Sequence, residues 1–176
     1  TGGGALSPQP VVTVQDAGGN TVTASTASIT LAIGTNAGPG GTLSGTVTLA
    51  ATNGVATFSG LSIDKAGTGY TLTAASSGLT GATSSAFSIS AGSATKVVFT
   101  TQPGGGASGV SWATQPVVTV QDANGNTVTA STASITLAIG TNGGPGGTLS
   151  GTVTLAATNG VATFSGLSID TAGTGY

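Results

Sequence analysis

Residues 28–33 read Ser28-Ile29-Thr30-Leu31-Ala32-Ile33, with Ile29, Leu31 and Ile33 at every second position. A period of two puts the large apolar side chains on one face of an extended chain, the signature of a half-buried strand. The same alternation appears on either side, in Val11–Gln15, Thr42–Ala50, Tyr70–Ala75 and Ala86–Ser90. Between Val55 and Ile63 the phase slips by one residue at Gly60, which predicts a β-bulge. No segment sustains apolar residues at i, i+3, i+4 and i+7, and Thr and Gly are poor helix formers. Turn residues fall between the runs, at Asp16–Asn20, Gly34–Gly41, Asn53-Gly54 and Ala66–Gly69. Asn53-Gly54 is the strongest hairpin signal, because both residues tolerate positive φ. Short strands separated by such turns predict an all-β sandwich.

The segment Gln9–Tyr70 returns 106 residues later as Gln115–Tyr176. The two copies differ only at Gly18/Asn124, Ala37/Gly143 and Lys65/Thr171. Solenoid repeats run ~20–50 residues, whereas an immunoglobulin-type sandwich takes ~100. The period therefore predicts tandem immunoglobulin-like domains. Residues 1–92 would form one repeat lacking its first strand, and residues 93–176 a second lacking its last strand or strands. A complete domain would begin with Lys96–Thr101. The equivalents of Val11–Gln15, Ser28–Ile33, Thr42–Ala50, Val55–Ile63, Tyr70–Ala75 and Ala86–Ser90 would follow, about seven strands in all. Tyr70, with its counterpart Tyr176, stands where a tyrosine corner would sit, and a Tyr packed at a sheet end is the alternative.

Only 3% of the chain is charged: Asp16, Asp64, Lys65, Lys96, Asp122 and Asp170. There is no His, Cys, Met, Glu or Arg. That inventory removes histidine general-base chemistry, cysteine nucleophiles, thiolate or imidazole metal sites, disulfides and arginine clamps on phosphate. A net charge of −2 with no basic patch speaks against nucleic acid as a partner. Mean hydropathy is +0.37, yet no run approaches the ~20 apolar residues of a spanning helix. The wealth of β-branched residues and the scarcity of charge argue against disorder. The absence of an initiator Met and of a signal peptide reads as a piece of a longer or processed chain.

Three stretches together resemble the bacterial Ig-like repeats of invasin/intimin-type adhesins and giant surface proteins. They are Val118-Thr119-Val120-Gln121-Asp122-Ala123-Asn124-Gly125-Asn126, Asn53-Gly54-Val55-Ala56-Thr57-Phe58, and Gly69-Tyr70-Thr71-Leu72-Thr73-Ala74. Their order and spacing fit that family over the whole chain. The resemblance implies a β-sandwich serving as a rod segment outside a bacterial or archaeal cell, with no catalytic residues and no cofactor.

Asp122, Asn124 and Asn126 set oxygens at alternate positions, as a calcium loop does. With one carboxylate and no bidentate Glu, an Asx turn is the competing reading, and Gly18 replaces the middle residue in the first copy. Asp170-Thr171-Ala172-Gly173 resembles an aspartic-protease loop, but the matching Asp64-Lys65-Ala66-Gly67 breaks the pattern. Both aspartates read as turn caps. Lys96 is a candidate for an isopeptide cross-link, set against simple snorkelling of its side chain. The Thr-x-Thr pairs Thr21/Thr23, Thr46/Thr48 and Thr71/Thr73, repeated at Thr127/Thr129 and Thr152/Thr154, line one side of strands. They are candidates for O-linked glycans or for an ice-, mineral- or sugar-binding face, set against a plain soluble outer face. No Asn-x-Ser/Thr sequon occurs.

Soluble sheet proteins guard their edge strands with Lys, Pro or inward charge. Two Lys leave little to guard with, so the expected partner is another copy of the chain. The sequence predicts a non-enzymatic structural protein whose domains assemble into a fibre, filament or sheath, with strands of one copy completing the next. A monomeric adhesin stalk is the alternative.

Overall fold

A computed structural model describes all 176 residues. The chain is all-β, with no helix, and therefore none long and apolar enough to cross a membrane. It divides into two compact units, Thr1–Gly92 and Ser93–Tyr176.

The first unit holds β1 (Val11–Thr13), β2 (Ser28–Ile33), β3 (Leu43–Ser44), β4 (Thr48–Ala50), β5 (Val55–Thr57), β6 (Ser62–Ile63), β7 (Gly67–Tyr70), β8 (Leu72–Ala75), β9 (Ala82–Thr83) and β10 (Phe87–Ile89). Four antiparallel sheets result, in the orders β1-β5, β4-β2-β8-β9, β10-β7 and β3-β6. The inward positions of the alternating runs meet in one core of Val14, Ile29, Leu31, Ala51, Ala56, Phe58 and Leu61. Ile63, Tyr70 and Ile89 form a smaller one. Fully burying a side chain such as Phe58 is worth roughly 1.5–3 kcal/mol.

The second unit holds β11 (Lys96–Thr101), β12 (Val117–Gln121), β13 (Ser134–Thr136), β14 (Leu149–Ser150), β15 (Thr154–Ala156), β16 (Val161–Thr163) and β17 (Ser168–Ile169). Its sheets are β11-β12-β16, β13-β15 and β14-β17. Its core of Val118, Val120, Ile135, Ala157, Ala162, Phe164 and Leu167 repeats that of the first unit except that Val118 is buried where Val12 is half-buried, and Leu137 is half-buried where Leu31 is buried. Trp112 packs against it, and its backbone N–H donates to the Leu167 carbonyl at 3.0 Å.

Three predicted strands are each divided. Thr42–Ala50 separates into β3 and β4, Val55–Ile63 into β5 and β6, and Tyr70–Ala75 lies across β7 and β8. The slip at Gly60 is where the chain leaves β1 for a new partner: β5 pairs with β1, and β6 with β3. Because of the slip, Phe58 and Leu61, three residues apart, are both buried. Ala66–Gly69 reads as a turn in the sequence, but Gly67–Tyr70 is strand β7, paired with β10. Gly67 runs so close to the backbone of Ala37 and Gly38 that a Cβ there would lie 2.7 Å from it. Its glycine therefore serves close approach and not chain reversal.

Candidate functional site

All four carboxylates sit in turns. Asp16 Oδ1 accepts the N–H groups of Gly18 and Asn20, both at 2.9 Å. The Asn20 side chain reaches both oxygens of the same carboxylate. Asn20 holds this carboxyl below its ordinary value, first through its backbone N–H and then through its side chain. In the second unit Asp122 Oδ1 accepts from the N–H groups of Asn124 and Asn126 at 2.9 and 2.8 Å, and Oδ2 accepts the Asn126 Nδ2 at 2.9 Å. The calcium-candidate residues thus come together as an Asx turn whose carboxylate faces N–H donors. Asp64 and Asp170 each receive a backbone N–H at 2.7 Å, from Thr42 and Thr148. The Thr148 N–H is the chief cause that holds the Asp170 carboxyl low. No group of three or more acidic residues is gathered to hold a metal ion.

Tyr70 is fully buried, and its hydroxyl donates to the Lys65 carbonyl at 3.0 Å. Burial pushes this phenol above its ordinary value, and the nearby Asp64 adds to the rise. Tyr176 makes the equivalent bond to the Thr171 carbonyl at 2.8 Å, though its ring stays 40% exposed. Asn53 and Gly54 both take positive φ, 52° and 78°. They close a two-residue hairpin in which Thr52 and Val55 exchange N–H···O bonds of 2.9 and 3.1 Å.

Gln9 and Gln115 carry a role that sequence reading did not assign. The Gln9 Nε2 donates to the carbonyls of Leu6 and Leu61, while its Oε1 accepts the Leu61 N–H at 3.0 Å. Gln115 does the same for Trp112 and Leu167. The amide serves backbone just after the break at Gly60 and Gly166: it takes the Leu61 and Leu167 N–H groups, while their carbonyls also accept the N–H groups of Leu6 and Trp112. The available signal was a repeated Gln directly before Pro10 and Pro116, at the head of the near-identical segment.

The Thr residues form cross-strand hydroxyl pairs, Thr30 with Thr48 and Thr136 with Thr154, both at 2.9 Å. Thr21, Thr23 and Thr46 are exposed, while Thr71 accepts the Thr35 N–H at 2.8 Å. Lys96 is exposed at the start of β11, opposite Gln121.

β11 and β1 both lie at the end of their sheets. β11 ends its sheet with one edge unpaired, and Val97, Val98 and Phe99 are 56%, 36% and 42% exposed. β1 pairs with β5 alone. Beside β1 runs a groove of about 710 Å³, walled by Val12, Leu31, Leu72, Phe87 and Ile89. The second unit has a groove of its own, about 490 Å³, lined by Phe99, Trp112, Leu137, Ile139 and Tyr176. Apolar and hydroxyl side chains line both grooves, and no acidic or basic side chain does. Comparison with family models, with curated proteins and with solved structures returns no match.

Proposed function

We propose that the chain is a structural extracellular repeat protein of a bacterial or archaeal surface. Its two units are immunoglobulin-like sandwiches, and copies pair through their edge strands to build a fibre, filament or sheath. The small antiparallel sheets around buried cores support the sandwich reading, as does the Tyr70 hydroxyl bonded five residues upstream, as in a tyrosine corner. A non-enzymatic role is supported by the four aspartates, each engaged as a turn acceptor. The observation that carries the assembly reading is the scarcity of guarding charge: β11 is an edge strand in a chain with two Lys and no Arg. Such an edge is a template for pairing.

Light scattering over a concentration series, with electron microscopy of the same samples, tests this. Polymers that grow with concentration are expected, and they should survive trypsin, which has only Lys65 and Lys96 to cut after. A monomer that persists at high concentration would overturn assembly and leave the adhesin stalk as the reading.

A further inference from the structure

The two copies of the repeated segment differ at three positions, and two of those differences write the same dipeptide into the second copy. Gly18-Gly19 becomes Asn124-Gly125, and Asn36-Ala37 becomes Asn142-Gly143. The hairpin step Asn53-Gly54 recurs as Asn159-Gly160. In an Asn-Gly step the side-chain amide carbon and the next backbone nitrogen can close a five-membered ring, and glycine has no Cβ to block their approach.

Ring closure needs that nitrogen free and the side-chain carbonyl polarised. The fold separates the four steps on both counts. Gly54 and Gly160 donate their N–H groups to the Ser25 and Ser131 carbonyls, each at 3.1 Å. Gly125 donates to the Asp122 carbonyl, also at 3.1 Å. At these three steps a hydrogen bond must open before the nitrogen can react. The Gly143 N–H makes no hydrogen bond. Asn142 is exposed, its Oδ1 accepts the Gly147 N–H at 3.1 Å, and its Nδ2 donates to the Gly147 carbonyl at 2.9 Å. A donor on Oδ1 stabilises the charge that gathers there when the amide carbon is attacked, as an oxyanion hole does.

The loop has the same character in the unit whose chain runs on through β8, β9 and β10. Asn36 is exposed there, its Nδ2 donates to the Gly41 carbonyl at 2.8 Å, and the Ala37 N–H is likewise unbonded. What that loop lacks is the glycine, because Ala37 stands where Gly143 does.

We propose that Asn142-Gly143 is a self-modifying site, at which the chain converts its own side-chain amide to a carboxylate. The Gly143 nitrogen attacks the Asn142 Cγ, and its proton passes through solvent to the departing amine. A bond from Cγ to the Gly143 nitrogen forms, the bond to Nδ2 breaks, and ammonia leaves a succinimide. Water, the one co-reactant, opens the ring at either carbonyl to give aspartate or isoaspartate. The product carboxylate has no N–H to give the Gly147 carbonyl, so half of the grip on the loop is lost. It also brings negative charge to the neighbour of Thr148, whose N–H the Asp170 carboxylate already holds, and like charges repel. Two near-identical units therefore age differently, and the second gains charge in a chain whose net charge is only −2.

The unmodified chain is incubated in mildly alkaline buffer and digested with pepsin at intervals. Mass spectrometry then follows conversion and isoaspartate at each Asn. Asn142 should convert at least about fivefold faster than Asn53, Asn124 or Asn159, the factor that one backbone hydrogen bond supplies. In urea that unfolds the chain the four rates should converge. Ala37→Gly, which removes only a methyl group, should speed conversion at Asn36 by about threefold or more. Asn142→Gln should abolish the early, more acidic species on ion exchange. An Asn142 that stays unconverted, a rate equal to those of the other three steps, or a ranking that survives unfolding would overturn the proposal. So would an acidic species that forms as fast with Asn142→Gln.

Discussion

Gln9 and Gln115 each gather three backbone groups with one side chain. Replacing either with Ala takes the partner from one backbone N–H (Leu61 or Leu167) and one carbonyl (Leu6 or Trp112), at a cost of about 1–3 kcal/mol. Thermal melts of Gln9→Ala and Gln115→Ala should show the first weakening the Thr1–Gly92 unit and the second the Ser93–Tyr176 unit. For domains this size the drop amounts to roughly 4–8 °C per kcal/mol. Tyr70 sets a second expectation. Burial raises its folded pKa above the unfolded value near 10. The stability tied to its neutral form is therefore complete below about pH 10 and is lost as pH climbs through the folded value. Asp16 and Asp170 are lowered instead, so their contribution is present above the ordinary carboxylate range and fades as pH falls through their folded values. With no His in the chain, melting temperature should stay level from about pH 5 to pH 9 and drop above pH 10. Tyr70→Phe should remove part of the alkaline drop. An unchanged drop would assign the alkaline loss elsewhere.

Elements of the fold were legible where an alternating run stays one unbroken strand. β2 and β11 fall on the predicted residues, Ser28–Ile33 and Lys96–Thr101. Runs that break inside were read as single strands, because a side chain's alternation records which face it takes and not where the ladder stops. The breaks fall at Gly45 and Gly60, whose backbones touch: a Cβ at Gly45 would lie 2.5 Å from the Gly60 carbonyl oxygen, while a Cβ at Gly60 would meet nothing. Both have positive φ, 104° and 69°. Gly60→Asn, at a left-handed angle that Asn tolerates, should cost under about 1 kcal/mol. Gly45→Ala meets both strain and a clash and should cost above about 2 kcal/mol. Denaturant melts would compare the two, and equal costs would count against the crossing at this point. β9 (Ala82–Thr83) went unread, since two small residues beside Gly81 carry no periodicity. At the candidate sites, residue types alone showed that aspartates would cap turns. The glutamine clamp was not readable, because its partners lie fifty-two residues away.

At the scale of the molecule, near-identical segments have been given different surroundings. Trp112 is the only tryptophan, and it belongs to the Ser93–Tyr176 unit, where Gln115 holds its carbonyl. Excitation of the indole therefore gives a built-in optical reporter for one half of the chain and silence from the other. Loss of the clamp at position 115 should register in the emission spectrum, and loss of its twin at position 9 only in circular dichroism. A gap between the two optical transitions would time the release of each half without any label.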